Sequence, residues 1–262
     1  MSAAVHVVLA EARKGLRVNW YYKFNMVMQL VTLTAIFLFL VFFLGHGSMD
    51  PGQLTSALLG YVVWFYAVNM VSWVGIDLVS EAQTGTLEQM CMSVSQPELL
   101  LVGRAVAALV TTTGLVAVLD LVLLASFGVS VPVSGGGLLM LALTLTGLFG
   151  FGLMIGGAML VFKHVGALAN LMINMIIFTN GTLLPVDEFP RWLTTIANSL
   201  PSTQGVTMLR ESVLQGRSLA AMWSDGGLPG LLLNTGIYLG LGVLVFEVGI
   251  RRARVRGSLG QY

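Results

Sequence analysis

The stretch Ser80-Glu81-Ala82-Gln83-Thr84-Gly85-Thr86-Leu87-Glu88-Gln89-Met90-Cys91-Met92-Ser93-Val94-Ser95-Gln96-Pro97-Glu98 lies between two apolar runs, Leu54 to Val79 and Ala105 to Phe127. It is the one long, patterned polar insertion in the first half of a chain that is 56% hydrophobic and 10% charged. Soluble chains carry about 25% charge to cover their surface, so this composition places the protein in lipid. Six stretches reach the roughly 20 residues a helix needs to cross a hydrocarbon core: 24–44, 54–79, 105–127, 138–162, 165–184 and 228–250. They lack the period-2 alternation of barrel strands, and helices satisfy their backbone internally where water is absent. The expected fold class is an all-α integral membrane protein with six transmembrane helices, one membrane domain over 1–262.

An even number of spans puts both termini on one side. Arg13, Lys14, Arg17 and Lys23 precede the first span, and Arg251, Arg252, Arg254 and Arg256 follow the last. With Arg104 and Lys163, ten of the thirteen basic residues lie on that side, which the positive-inside rule makes cytoplasmic. The net charge of +1 conceals this asymmetry and leaves no basic surface for nucleic acid. The first apolar run is of spanning length with no persuasive cleavage site after it, so a retained start is expected. Cys91, the one cysteine, permits no internal disulfide. His6, His46 and His164 are scattered and form no metal-ligand spacing.

Ahead of the first span, Val5, Val8, Leu9, Ala12 and Leu16 recur at helical spacing, with Glu11, Lys14 and Arg17 on the opposite face. This predicts an N-terminal amphipathic helix at the interface. Between the fifth and sixth spans, Phe189, Trp192, Leu193, Ile196, Ala197 and Leu200 share one helical face between Pro190 and Pro201. A second short pattern, Val206, Leu209 and Val213, runs to a helix stop at Gly216. Both are too short to span and predict re-entrant or interfacial helices on the outer side.

Inside the insertion, Gly85 is a break, and Thr86 with Gln89 has capping-box form. Leu87, Met90, Cys91 and Val94 then form one apolar stripe, and Ser95-Gln96-Pro97-Glu98 restarts a helix. The reading is a short rigid helix presented to a partner, or one lying on the membrane. Within the spans, Asp120 is roughly 10 Å inside the outer end of the third, where a carboxylate costs about 2.5 to 3.5 kcal/mol and must face protein or water. It is either a pathway or proton-relay residue, or a structural acid bonded to a neighbouring helix. Asn69 on the second span and Asn170, Asn174 and Asn180 on the fifth are interhelical glue, or line a dimer interface or substrate route. Gly152 with Gly156, and Gly236 with Gly240, are small-xxx-small pairs suited to close helix approach.

Glu81, Gly85-Thr86-Leu87-Glu88, Ser95-Gln96-Pro97 and Arg104 resemble the segment between the second and third spans of ABC-2 type transporter permeases. Leu184-Pro185, Pro190-Arg191-Trp192 and Pro201-Ser202-Thr203 resemble their late outer segment. The family often has Ser-Pro or Thr-Pro where this chain has Ser95-Gln96-Pro97. The resemblance implies a dimer with a second permease copy or paralogue, and a separate ABC ATPase subunit that holds ATP and Mg. It also implies a coupling surface built from Glu81, Gly85, Thr86, Leu87, Glu88 and Met90. The chain itself has only Lys14, Lys23 and Lys163, none preceded by Gly, so it lacks a P-loop and is expected not to be an enzyme. The expected function is export of a hydrophobic or amphiphilic molecule, drug-like or lipid, across the plasma (inner) membrane. The alternative is a proton-coupled secondary transporter using Asp120. The family also moves polysaccharides, and no residue decides the cargo.

Overall fold

The computed structural model describes residues 3–44, 51–72, 97–128, 133–162, 166–184 and 186–255. They form α1 (Ala3–Tyr21), α2 (Lys23–Leu44), α3 (Pro51–Val71), α4 (Pro97–Phe127), α5 (Gly135–Val161), α6 (Gly166–Thr179), α7 (Arg191–Ser199), α8 (Pro201–Val213), α9 (Leu219–Ser224) and α10 (Gly227–Val255). One 3-10 turn, Val186–Glu188, precedes α7, and no strand occurs among the described residues. The protein is an all-α integral membrane protein: α2, α3, α4, α5 and α10 are long and apolar enough to cross a membrane. The expected coupling residues Glu81, Gly85, Thr86, Leu87, Glu88 and Met90 lie outside the described residues.

Two expected spans have different bounds. The stretch 165–184 is helical over only 14 residues, Gly166–Thr179, about 21 Å at 1.5 Å per residue. Gly181 adopts φ +76°, a left-handed conformation that ends the helix. At its other end, α4 begins at Pro97 rather than near 105. Proline suits a first turn, where its missing N–H is no loss. The helix can carry Arg104 onward because α1 covers it: the guanidinium meets Glu11 at 3.2 Å, both side chains being mostly buried.

That contact also shows how α1 packs: Ala12 is buried, and small and polar residues meet α4 directly. A Cβ on Gly15 would lie 2.8 Å from the Ala107 Cβ, and one on Gly103 would lie 2.8 Å from the Glu11 Cβ. Asn19 donates to the Thr111 hydroxyl at 2.9 Å. Val5 and Leu9 are exposed. The glycines let α1 and α4 approach closely. Helix α1 therefore lies along the first half of α4.

The α5–α10 pair packs backbone against backbone. A Cβ on Gly150 would meet the Tyr238 carbonyl at 2.5 Å, one on Gly157 the Val245 carbonyl at 2.7 Å, and one on Gly249 the Gly157 carbonyl at 2.6 Å. A Cβ on Gly242 would likewise fall onto the backbone of Gly150. These glycines recur every seven residues, the spacing that keeps one seam between two nearly aligned helices. Gly236 and Gly240, expected to serve this purpose, have open space around them. The glycines that meet, Gly150, Gly157, Gly242 and Gly249, are not the pairs the sequence reading singled out.

Leu101 of α4, Leu160 of α5 and Phe246, Ile250 and Ala253 of α10 share one buried cluster. With α1 against the first half of α4, both ends of the described chain thus lie at the same end of the bundle. At the other end the segment after α6 folds inward. Helix α7 is superficial, with Trp192 and Ile196 exposed and only Ala197 buried. Helix α8 is inserted among α3, α5 and α10 and buries Pro201, Ser202, Thr203, Gly205, Val206, Leu209 and Ser212. It runs antiparallel to α5. Pro201 abuts Gly147, Gly205 abuts Thr144, and Ser212 and Val213 abut Gly136 and Gly137. Gly147 lies about 18 Å along α5 from its start, so α8 begins deep within the bundle and is re-entrant. Gly216, with φ +62°, then turns the chain out, as expected.

Candidate translocation site

The residues expected to line a route fall in four places. Asp120 lines a cavity of about 250 Å³ between α3, α4, the start of α5 and α8. Its walls are overwhelmingly apolar, chiefly Leu58, Leu59, Val62, Val116, Leu138, Leu141, Leu209 and Val213. Besides Asp120, the polar groups are Ser134 and a hydroxyl pair, Tyr66 and Thr113, whose oxygens are 2.7 Å apart. Ser134 caps α5 by accepting the Gly137 N–H at 3.0 Å. Thr113 precedes Asp120 by two helical turns, so both lie on one face of α4 about 10 Å apart.

Asn69 lines a separate polar recess of about 210 Å³ between α1, α2, α3 and α4. Asn19, Tyr22, Asn25, Gln29, Thr111 and Thr112 share it. The Asn69 amide donates within its own helix, to the Phe65 carbonyl at 2.9 Å.

Asn180 is structural. It is buried just past α6, and its amide donates to the Gly60 carbonyl of α3 at 3.1 Å. Its oxygen accepts from the Thr182 N–H at 3.0 Å and the Thr182 hydroxyl at 2.5 Å. One turn away on α3, Arg210 of α8 donates twice to the Ser56 carbonyl, at 3.0 and 3.2 Å. Thr203 of α8 donates to the Thr179 carbonyl at 3.1 Å. These bonds tie the broken end of α6 and the re-entrant α8 to one face of α3. They satisfy backbone groups that lipid would leave unpaired. Arg210, not among the site residues expected from the sequence, anchors this knot. A charged residue one turn after the buried Val206 was the available signal.

Asn170 and Asn174 are exposed on α6, beside exposed Leu171, Met175 and Phe178. The Asn174 amide donates only to the Asn170 carbonyl among the bonds described, at 2.9 Å. The structure therefore does not bring Asp120, Asn69 and the α6 amides to one place. Beyond α8, Arg217 bonds Glu211 at 2.6 Å and also Asp225, closing the α8–α9 loop. Those bonds, to Asp225 first and then Glu211, hold its guanidinium above its ordinary pKa.

The model of the ABC-2 type transporter family matches residues 5–214, from α1 through α8. The chain belongs to this family. It is thus an ABC transporter permease, a multi-pass membrane subunit of a family that associates with ABC ATPase subunits. A comparison with curated proteins finds no match. The family match includes the break after α6 and the re-entrant α8, so these belong to the permease region itself.

Proposed function

We propose that this permease is one of two halves, identical or paralogous, of an exporter that moves a hydrophobic or amphiphilic molecule out across the plasma (inner) membrane. A separate ATPase subunit supplies ATP and Mg, and this chain has no catalytic residue. The observation that carries the reading is the open face of α6. Two amides one turn apart at lipid depth are unfavourable against acyl chains and favourable against protein or water. A second permease copy facing α6 supplies that environment and makes this face the wall of a shared route. The apolar interior, with few polar groups, favours an amphiphilic cargo over a heavily hydrated one.

In a Cys91→Ser background, Asn174→Cys is expected to form an oxidant-induced disulfide between two copies in the assembled transporter. Leu233→Cys, exposed on α10, is expected not to. The reverse result would remove α6 from the interface.

Coupling is assigned to Glu81, Gly85, Thr86, Leu87, Glu88 and Met90. Leu87→Asp and Glu88→Arg should each lower ATP-driven transport in reconstituted vesicles by about tenfold, the loss of one good interface contact. The amount of inserted permease should not change. Transport by this chain alone, driven by a proton gradient without ATP, would overturn the reading in favour of a proton-coupled carrier using Asp120.

A further inference from the structure

We infer that the polar recess between α1, α2, α3 and α4, with the groove that adjoins it, binds a membrane amphiphile whose head group is uncharged and bears hydroxyls, as a monoglycosyl lipid does. The inference goes beyond the exporter reading and requires neither ATP nor a partner subunit. The two spaces share a wall: Asn25 and Gln29, one turn apart on α2, line the recess of about 210 Å³ and also a groove of about 440 Å³ between α2 and α3. Past Gln29 the groove is lined by Leu33 and Ile36 of α2 and by Tyr61, Trp64 and Phe65 of α3. Met28 and Ile36 on its edge are exposed, so in a bilayer it opens to acyl chains.

Depth orders these groups as a lipid orders its own. Lys23 starts α2 at the basic end of the span, which the positive-inside rule makes cytoplasmic. Asn25 follows it by about 3 Å, Gln29 by about 9 Å and Ile36 by about 20 Å along the helix. The polar end of the site therefore lies near the head groups of one leaflet, and the aromatic end points toward the bilayer centre. The polar end also lacks internal partners. Thr111 and Thr113 each donate to the carbonyl four residues back. Thr112 between them lines the recess at 2% exposure, and its hydroxyl makes no hydrogen bond among the described residues. The Asn25 and Gln29 amides have none among those residues either. Such groups at lipid depth favour an occupant that bonds them. Amides and a threonine hydroxyl both donate and accept, which matches a ligand hydroxyl. No Asp, Glu, Lys or Arg lines either space among the described residues, so a charged head would lose its hydration without gaining a counter-charge. The small polar recess suits a head of one ring, with its acyl chain in the groove.

The test uses the full-length permease in phosphatidylcholine nanodiscs doped with monoglucosyl diacylglycerol that carries a photoreactive diazirine in one acyl chain. Saturable labelling is expected within 28–36 and 61–68, mapped by peptide mass spectrometry. Unlabelled glucolipid should displace the probe about tenfold more effectively than phosphatidic acid with the same chains, the margin of one or two hydrogen bonds. Thr112→Val combined with Gln29→Leu should remove that margin. Thr112→Val alone, in nanodiscs without glucolipid, should keep the thermal midpoint within about 2 °C, because the hydroxyl bonds nothing in the protein. Equal displacement by the two lipids, labelling confined to other segments, a margin retained in the double variant, or a lower midpoint for Thr112→Val would each overturn the inference. No saturable labelling, the result for a recess that holds water alone, would do the same. So would an oxidant-induced disulfide between two copies of Asn25→Cys in a Cys91→Ser background, which would make this face a protein interface. Loss of ATP-driven export with labelling intact counts against the exporter reading alone, and export without labelling counts against this site alone.

Discussion

Gly242→Val is expected to destabilise the permease by about 3 kcal/mol or more, at the upper end of overpacking effects. Gly240→Val, two positions earlier on the same helix, is expected to leave it unchanged. A Cβ at Gly242 would occupy the space of Gly150's carbonyl group, and no flexible side chain is there to move aside. The α5–α10 seam would have to open, separating Gly157 from Gly249 as well, because both contacts lie on one face. At Gly240 nothing stands within 4 Å of the added carbon. In detergent, monitored by fluorescence-detected size exclusion after heating, the Gly242 variant should lose on the order of 10 °C of thermal midpoint. Equal midpoints for the two variants would show that the seam is not where the structure places it.

Asn180→Leu keeps the number and branching of side-chain heavy atoms and removes three hydrogen bonds at once. The Gly60 carbonyl loses its side-chain donor, and the Thr182 N–H and hydroxyl lose their acceptor, all within the buried interior. A buried polar group left unpaired costs about 1 to 3 kcal/mol, so the variant should lose about 2 to 5 kcal/mol. The effect should be local in its first consequence. The end of α6 should detach from α3 while the α5–α10 seam holds, and amide hydrogen exchange at 176–184 should rise before exchange in α10 does. ATP-driven transport should fall, because the broken end of α6 fixes where its open amide face points. A wild-type exchange pattern together with a wild-type thermal midpoint would refute the structural role given to Asn180.

Most of the architecture was legible in the sequence because lipid imposes one strong rule. A segment of spanning length must be apolar and helical, and four of the six expected stretches match their helices to within a few residues at every described end. The two helix patterns around Pro201, and the stop at Gly216, were likewise readable from spacing and glycine chemistry. One contact of α1 was not readable: Glu11 was placed on the face opposite Val5, Val8, Leu9, Ala12 and Leu16, yet it is mostly buried against Arg104. In a membrane protein the surroundings are themselves apolar, so helix contacts favour small residues and satisfied polar groups instead. Gly15, Gly103, Ala107, Asn19 and Glu11 follow that rule.

The candidate site was less legible than the fold. Asp120 stood out because a carboxylate at lipid depth is costly. Tyr66 and Thr113, which complete its cavity, did not stand out, since each is an ordinary residue in its own helix. Asn180 was grouped with Asn170 and Asn174 by residue type, yet it ties backbone while they face outward.

The sequence by itself determined the class of the protein, the approximate helices and the family, because each rests on local composition, periodicity or linear motif. Only the tertiary structure decided which glycines meet, that α8 is inserted rather than laid on the surface, and that Asp120 shares a cavity with a hydroxyl pair from another helix. Those outcomes depend on the rotation and depth of helices relative to one another. Such variables are set by the fit of many side chains at once, and no single stretch of chain encodes them.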